Sequence, residues 1–179
     1  LTDVLTMTEH SDKPLEALHL LYTGVQNNVS NSLVLMADRL GFSLTLATPE
    51  PAETQESFDV ELQAMITNNP SIMRVADPRE AIAAADFIYT DTWIDMQYFN
   101  DPTKHSEKTA LIAQMQRFQI NADLLSGHEL KIMHDMPIHN DYEITEAAVR
   151  DLRSIIFDQA ANRLHAQKGL LYWLLVANA

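Results

Sequence analysis

The segment LHLLYTGVQNNVSNSLVLMADRLGFSLTLATP, residues 18–49, decides the fold. It holds a short apolar run that ends at Gly24, apolar residues at spacings of three and four up to Leu40, and a second apolar run from Ser43. Apolar runs bounded by glycine or proline indicate buried strands, and the three-and-four spacing indicates a helix that stops at Gly41. The segment therefore predicts one strand–helix–strand unit of a parallel sheet.

The remaining sequence continues this alternation. We predict further strands at 72–75, 85–91 and 129–134, helices at 55–68, 77–85, 107–118, 145–151 and 160–178, an extended piece at 154–158 and a loop at 92–103. Alternating strands and helices of this size are typical of a parallel sheet covered on both faces. The sequence therefore predicts a doubly wound, Rossmann-like α/β fold with three layers, in a single domain over residues 1–179.

Charge and composition exclude several classes of protein. With 12 Lys+Arg and 25 Asp+Glu among 179 residues, the net charge is −13, which disfavours binding to nucleic acid and to anionic membranes. The absence of cysteine excludes disulfides and thiolate metal sites. The longest apolar run, 170–177, is too short for a bilayer, and the N-terminus lacks a signal-peptide pattern. We expect a cytoplasmic domain, and the start at Leu1 without Met indicates a piece of something longer.

Ligands of such folds bind beyond the carboxyl ends of the strands, so the loops there hold the candidate site residues. In GVQNN (24–28), Asn27 and Asn28 stand at a helix start, where amides and free backbone N–H groups attract a carboxylate or phosphate. Helix capping alone would explain them equally well. The segment has one glycine instead of the three of a dinucleotide motif, so no nucleotide cofactor is expected.

The segment TDTWIDM (90–96) follows the fourth predicted strand. Asp91 and Asp95, four residues apart, could both face a cationic group. Trp93 could wall a pocket, and Met96 could offer backbone and thioether contacts. Taken alone, the segment is explained better by two solvated turn aspartates and a core tryptophan.

The segment HDMPIH (134–139) follows the last predicted strand. Its two histidines invite a metal, but Pro137 favours an irregular loop and no third ligand stands at helical spacing, so no metal site is expected. Asp135 beside His134 fits a general acid–base pair better. Arg163 lies near the predicted start of the last helix, where the dipole disfavours a cation and an anionic ligand would relieve it; the alternative is that Arg163 snorkels over the sheet edge.

Together these segments resemble the second half of the transcarbamylases, most closely the ornithine carbamoyltransferases. They stand in the family's order: LTDVLTMTEH (1–10), NNVSNSL (27–33), TDTWIDM (90–96), and HDMPIH (134–139) followed by DQAANRLHAQKGLLYWLL (158–175). The family's S-x-R-T-R and H-P-x-Q motifs, which bind carbamoyl phosphate in a first domain, do not occur in the chain. We therefore expect the isolated amino-acid-binding half, with the carbamoyl-phosphate-binding half absent and no activity on its own.

The resemblance implies a reaction in which the side-chain amine of ornithine attacks carbamoyl phosphate to give citrulline and phosphate, a step of arginine metabolism. It implies that Asn28, with Asn27 beside it, binds the substrate α-carboxylate. Asp91 is implied to pair with the α-amino group, and the backbone N–H of Met96 to meet the same carboxylate.

The resemblance also implies catalytic roles for the last loop. His134 and the carbonyl of Met136, ahead of Pro137, are implied to orient the carbamoyl group and the attacking amine. Arg163 is implied to reach the carbonyl oxygen, where the tetrahedral oxyanion needs a donor. Asp135 stands where the family has Cys and could accept a proton from the amine.

Departures from the family's pattern leave the acceptor open. Besides Asp135, Asp95 and Gln97 stand for the Ser and Gly of S-M-G, and Ala161 stands for the Glu of E-N-R. Two added acids would suit putrescine, another diamine or a modified ornithine better than a plain α-amino acid. On this hypothesis, Asp95→Ser raises ornithine affinity in the complete enzyme.

A third interpretation is a non-catalytic binding module that kept the fold. The lost Cys and Glu favour it, whereas the retained residues argue against it: Asn28, Asp91, His134, Pro137 and Arg163. Members of the family are homotrimers built largely through the first domain. The resemblance therefore implies a homotrimer for the complete protein and a monomer for this half alone.

Overall fold

The computed structural model describes residues 1–51, 58–94, 103 and 105–177. Within these residues the strands are β1 His19–Thr23, β2 Ser43–Ala47, β3 Ile72–Val75, β4 Phe87–Thr90 and β5 Lys131–His134. All five pair in parallel in one sheet, in the order β3-β2-β1-β4-β5. Each lies within one of the predicted apolar runs, so the predicted α/β fold is confirmed.

The strand order reverses direction beside β1, which is central. Leu20 of β1 pairs with Leu44 of β2 on one side and with Phe87 of β4 on the other. The chain builds β1, β2 and β3 outward, then crosses back to place β4 and β5 on the opposite side of β1. The loops that leave β1 and β4 therefore diverge, and a crevice opens at their carboxyl ends.

Helices cover both faces of the sheet. Their bounds in the described residues are α1 Thr2–Glu9, α2 Asn28–Leu40, α3 Val60–Asn68, α4 His105–Met115, α5 Ala122–Leu125, α6 Glu146–Val149 and α7 Ile156–Tyr172, which continues as a π-helical end at Trp173–Ala177. No helix in the described part of the chain has the length and apolar character needed to cross a membrane.

Side chains alternate along β1 between two buried cores, one on each face. Leu20 and Tyr22 join the core that α2 covers with Leu33 and Val34. Leu21 faces the other way, into the second core. Because both faces of β1 are buried, it reads as a continuous apolar run.

Two predicted segments have a different structure from the one expected. The predicted helix at 77–85 is a pair of 3₁₀ turns, Pro78–Glu80 and Ile82–Ala84, since the backbone at Ala81 (φ −122°, ψ −16°) leaves the helical region. The predicted extended piece at 154–158 is wrong beyond its first two residues. Ser154 bridges to β5, the N–H of Ile155 bonds to β5, and α7 starts at Ile156.

Candidate functional site

Three polar residues meet at the crevice, one from each loop around the point where the strand order reverses. Asn27 follows β1, Asp91 follows β4 and Asp135 follows β5. The Nδ2 of Asn27 donates to Oδ2 of Asp91 at 2.6 Å. Polar atoms of Asp91, His134 and Asp135 lie within 4.8 Å of one another. The structure therefore brings together residues that are up to 108 positions apart in the sequence, from Asn27 to Asp135 (135 − 27 = 108).

Gly24, which follows β1, lies close to the side chains of Thr90 and Trp93 at the end of β4 and beyond it. Its φ is +131°, and a Cβ there would lie 3.1 Å from Nε1 of Trp93 and 3.3 Å from Oγ1 of Thr90. Glycine is the residue that accepts both the conformation and the contact. Trp93 is 5% exposed and packs in the core with Met115. The structure therefore shows a core tryptophan, which was the alternative to a pocket wall.

The two asparagines after β1 have different positions. Asn27 is the N-cap of α2: its Oδ1 accepts from the backbone N–H groups of Val29 and Ser30, and the Ser30 hydroxyl accepts from the Asn27 N–H. Its amide nitrogen is left to hold Asp91. Asn28 is the first helical residue and lines the neighbouring cleft. The structure therefore shows helix capping at Asn27 and places Asn28 at the cleft, where its role in ligand binding stays a prediction.

The carboxylate of Asp91 is fixed from two sides. Its Oδ2 accepts from Asn27 and its Oδ1 accepts from the backbone N–H of Thr92, both at 2.6 Å. The side chain is nearly buried, with 7% of the residue exposed. This excludes the alternative of a solvated turn aspartate for Asp91.

Asp135 lies against Asp91 with its charge poorly compensated. Its Oδ1 is buried without a hydrogen-bond partner in the described residues. Burial, followed by the charge of Asp91 and a hydrogen bond with it, raises the pKa of Asp135 to about 8. Two carboxyl groups in contact can bond only through a shared proton, so the pair holds one proton at neutral pH.

The same buried surroundings keep the nearby phenols neutral. Burial and then the charge of Asp91 raise the pKa of Tyr22 well above its usual value, and burial and then Asp3 do the same for Tyr89. The Tyr22 hydroxyl donates to the carbonyl of Val25 at 3.0 Å, which supports the loop after β1. Neither tyrosine can serve as a base at neutral pH.

His134 is fully buried, and both ring nitrogens are engaged within the protein. Its Nδ1 accepts from the backbone N–H of Met136 at 2.8 Å, so Nε2 carries the proton and faces Oε1 of Glu143 at 3.3 Å. Glu143 is also fully buried and accepts from the backbone N–H of His139 at 2.6 Å. The imidazole therefore holds the loop 134–139 in shape, and its catalytic role stays a prediction.

The spacing of Asp91, His134 and Asp135 would admit a metal ion. The Nδ1 of His134 lies 3.7 Å from Oδ1 of Asp135. However, a ligand must present a free lone pair, and the one on Nδ1 accepts from Met136. Binding an ion would break the bond that shapes the loop, so this donor set fits a metal poorly.

A cleft of about 290 Å³ opens beside this cluster. Its walls include Asp3 of α1, Asn28 of α2, Asp135, and Gln159 and Arg163 of α7. Asn28 and Arg163 are exposed at its surface. A small molecule in this cleft would meet amide and guanidinium donors at the rim and carboxyl groups deeper in.

The position of Arg163 corrects one expectation. The argument from the helix dipole is wrong, because α7 begins at Ile156 and Arg163 is therefore its eighth residue. The dipole acts mainly in the first turn, where this helix has Asp158 as expected. Arg163 reaches the cleft because it lies one turn beyond Gln159 on the same helix face.

Four other predicted residues have separate outcomes. Asp95 and Met96 lie outside the described residues. Met136 has φ +59° and packs against the core that contains Trp93. Pro137 follows it in the loop and is exposed.

Three residues that shape the site were not predicted. Asp3 lines the cleft from α1, Gln159 lines it from α7, and Glu143 holds the loop after β5. Gln159 stands four positions before Arg163, a spacing that places both on one helix face and could have revealed it. Glu143 gives no such signal, because a carboxylate between Tyr142 and Ile144 is expected to be exposed.

Comparison with known proteins finds matches along most of the chain. The family described as aspartate/ornithine carbamoyltransferase, Asp/Orn binding domain, matches residues 16–174. An ornithine carbamoyltransferase of Methanococcus maripaludis is 39% identical over 97% of this chain and 57% of its own length. One of Brucella abortus is 35% identical over 98% of this chain and 53% of its own.

Solved structures agree with these sequence matches. The crystal structure of ornithine carbamoyltransferase from Thermus thermophilus matches with a TM-score of 0.76 and 34% identity, over 97% of this chain and 53% of that one. The enzyme from Pyrococcus furiosus gives a TM-score of 0.77 at 31% identity, over 96% of this chain and 53% of that one. The chain spans about half the length of the relatives that it matches.

Proposed function

The chain belongs to the aspartate/ornithine carbamoyltransferase family, in its Asp/Orn-binding domain, and we propose that it is the ornithine-binding half of an ornithine carbamoyltransferase. The complete enzyme would transfer the carbamoyl group of carbamoyl phosphate to the side-chain amine of ornithine, giving citrulline and phosphate. One observation carries the proposal: Asp135 faces Asp91 and lines a cleft whose rim holds Asn28 and Arg163.

The carboxyl pair suits an amine that must lose a proton before it attacks. An alkyl amine resembles Lys, with a pKa near 10, so roughly one molecule in a thousand is neutral at pH 7. Because Asp91 and burial raise the pKa of Asp135 to about 8, its carboxylate forms just above neutral pH and is a better base than an ordinary aspartate. Asp135 would accept the proton of the attacking amine, and the remaining negative charge of the carboxyl pair would lie on Asp91.

The rim suits the amino-acid end of the substrate. Asn28 is the first residue of α2, where the side-chain amide and the helix dipole favour a carboxylate. Asp91, held by Asn27 and Thr92, offers a carboxylate for the α-amino group. Both groups come from loops at the carboxyl ends of the strands, so their separation is set by the sheet.

Arg163 would serve the other substrate. Its guanidinium is exposed at the cleft and has donors for the oxygen of the carbamoyl carbon, which becomes negative in the tetrahedral intermediate. Because the chain spans about half the length of its relatives, we propose that a part of the complete protein outside this chain binds carbamoyl phosphate. The isolated chain would then bind the amine without turning it over.

We propose a homotrimer for the complete protein, with its product entering arginine metabolism in the cytoplasm. Exposed apolar side chains on the end of α7, among them Leu171, Trp173 and Leu174, support burial against further protein. The lack of cysteine fits a reducing compartment.

A second candidate acceptor is a diamine such as putrescine. Asp135 favours it, since two carboxyl groups beside one cleft attract a second cationic group more readily than a carboxylate. The identity of the acceptor amine therefore distinguishes two enzymes of the same reaction class.

The test is carbamoyl transfer by the protein from the complete gene. Phosphate release and product formation are measured with carbamoyl phosphate and each of ornithine, putrescine, lysine and agmatine, for the wild type, Asp135→Asn and Asp135→Cys. We expect ornithine to be preferred, with kcat rising through pH 8 in the wild type. Asp135→Asn should lose that rise and about a hundredfold in kcat.

Asp12→Asn, which neutralises an exposed aspartate that does not line the cleft, is the matched control and should match the wild type. If the enzyme prefers putrescine, putrescine replaces ornithine as the proposed acceptor. If no amine is carbamoylated while calorimetry shows ornithine binding to the chain, the non-catalytic binding module replaces the enzyme.

A further inference from the structure

Helix α1 is bonded to the walls of the cleft through a half-buried aspartate, Asp3. Oδ1 of Asp3 accepts from Nε2 of Gln159 at 2.8 Å and from the hydroxyl of Tyr89 at 3.3 Å. Gln159 is 2% exposed and Tyr89 is fully buried. A carboxylate of α1 is therefore tied to α7 and to the end of β4 at once.

The other end of the same glutamine holds the loop after β5. Oε1 of Gln159 accepts from the backbone N–H of His134 at 2.9 Å. His134 is the last residue of β5, and Asp135 follows it directly. One side chain thus connects Asp3 of α1 to the peptide that carries the proposed base.

Two further bonds fix α1 on α7. Nδ2 of Asn162, which is 8% exposed, donates to Oγ1 of Thr6 at 3.1 Å and to Oε2 of Glu9 at 2.6 Å. Asn162 lies three residues beyond Gln159, so successive turns of α7 hold successive turns of α1. A shift of α1 along α7 would break both sets of bonds.

We propose that Gln159 is a positioning residue that couples α1 to the 134–139 loop and so sets the place of Asp135 against Asp91. The proposal rests on the function proposed above for Asp135, and it adds a residue that does not itself react. An amide is required because one end must donate to Asp3 while the other accepts from His134. A leucine would remove the acceptor of the His134 N–H and one of the two donors to Asp3, and a glutamate would place a second carboxylate against Asp3.

The donor–acceptor pattern provides a rescue that a merely structural role would not predict. In Gln159→Glu, the new carboxylate still accepts from His134 but repels Asp3. In Asp3→Asn/Gln159→Glu, the new amide nitrogen takes the place of Oδ1 and donates to the new carboxylate. The bond between α1 and α7 is thus restored with donor and acceptor exchanged, while the bond from the Tyr89 hydroxyl, which uses the same oxygen, is lost.

The experiment has a readout that does not need activity. Hydrogen exchange of the His134 amide is followed by NMR in this chain, with the amide of Ile132, which donates to the carbonyl of Arg153, as the internal reference. We expect at least tenfold faster exchange at His134 in Gln159→Glu and a return to within threefold of the wild type in the double variant. Gln167→Glu makes the same change at an exposed position on α7 and should leave His134 unchanged.

In the complete enzyme, Gln159→Glu should lower kcat at least tenfold and shift its pH profile, with KM for the amine changed less than threefold. The double variant should recover most of kcat. Unchanged exchange at His134 in Gln159→Glu, or no recovery in the double variant, overturns the coupling whatever the activity. Normal coupling without carbamoyl transfer would instead overturn the function proposed for the site.

Discussion

The loop after β1 and the loop after β5 form two sides of the same site but are held over different distances along the chain. In the first, Asn27 caps α2 with bonds to residues two and three positions away. In the second, His134 depends on Gln159, 25 positions away, and on Glu143, nine positions away. The first loop is therefore set by local chemistry and the second by tertiary packing.

The loop after β1 can therefore take its shape from the helix start beside it, whereas the loop after β5 takes its shape only when the whole fold has formed. The cap at Asn27 uses donors that every helix start leaves unpaired. The bonds of Glu143 and Gln159 exist only after α7 and the 139–143 turn have packed against β5. Substitutions in the second loop should therefore cost more stability than those in the first, and each prediction below tests one side of this comparison.

The largest effect is expected at Asp91, where the two loops meet. Asp91→Asn keeps the size of the side chain but removes the charge that we propose pairs with the substrate amino group and that raises the pKa of Asp135. We expect kcat/KM for ornithine in the complete enzyme to fall about a thousandfold, roughly 4 kcal/mol of transition-state stabilisation. Steady-state kinetics measure it.

Asp77→Asn is the control for Asp91→Asn, since it changes an aspartate at the start of a 3₁₀ turn. It should leave kcat/KM within twofold of the wild type. If Asp91→Asn retained a tenth or more of the wild-type value, Asp91 would not be the group that pairs with the amino group of ornithine.

Much of this architecture could be predicted from sequence, because strands and helices of this kind follow from apolar spacing. The cap at Asn27 and the place of Asp91 after β4 follow from residues close to them. The contacts of Gln159 with Asp3 and His134 could not be predicted, since these partners lie on distant segments. The role of Glu143 could not be predicted either, because a glutamate is rarely fully buried. The start of α7 was misplaced because Ser154 and Ile155 extend alongside β5 before the helix begins.

Glu143→Leu should give the second largest effect. It removes contacts that hold the loop after β5 and leaves the loop after β1 unchanged. It leaves the N–H of His139 and the Nε2 of His134 without their acceptor inside the protein. We expect a loss of about 3 kcal/mol in the free energy of unfolding, measured by urea titration of this chain.

The matched control is Glu146→Leu, which breaks only the exposed pair with Arg150 and should cost less than about 0.5 kcal/mol. A cost for Glu143→Leu no greater than that of the control would show that the loop is held locally, like the loop after β1.

The third prediction concerns pH. Burial and Asp91 raise the pKa of Asp135 from 3.8 to about 8, so between these values the folded protein keeps a proton that the unfolded chain has lost. The stability that this proton confers is complete below pH 4 and is lost as pH rises towards 8. Its slope is up to about −1.4 kcal/mol per pH unit.

Urea titrations at pH 5.5, 6.5 and 7.5 test this with the wild type and Asp135→Asn. The contribution of Asp135 is the difference in the free energy of unfolding between the two proteins, because the other titrating groups contribute equally to both. Asp135→Asn should gain stability relative to the wild type as pH rises. A difference that stays constant across the series would mean that the two carboxyl groups do not share a proton.

The smallest effect is expected at Asn27, where a substitution can separate the cap from the contact across the crevice. Asn27→Ser keeps an oxygen to cap α2 but loses the amide that donates to Asp91, whereas Asn27→Ala loses both. Asn27→Ala should cost about 1.5 kcal/mol, against roughly 1 kcal/mol for Asp59→Ala, a helix cap without such a contact. Asn27→Ser should cost about 0.5 kcal/mol yet raise KM for ornithine in the complete enzyme, because Asp91 then keeps only its bond to the backbone N–H of Thr92. If KM rises only in Asn27→Ala, the cap alone positions the first loop and the contact with Asp91 contributes nothing to binding.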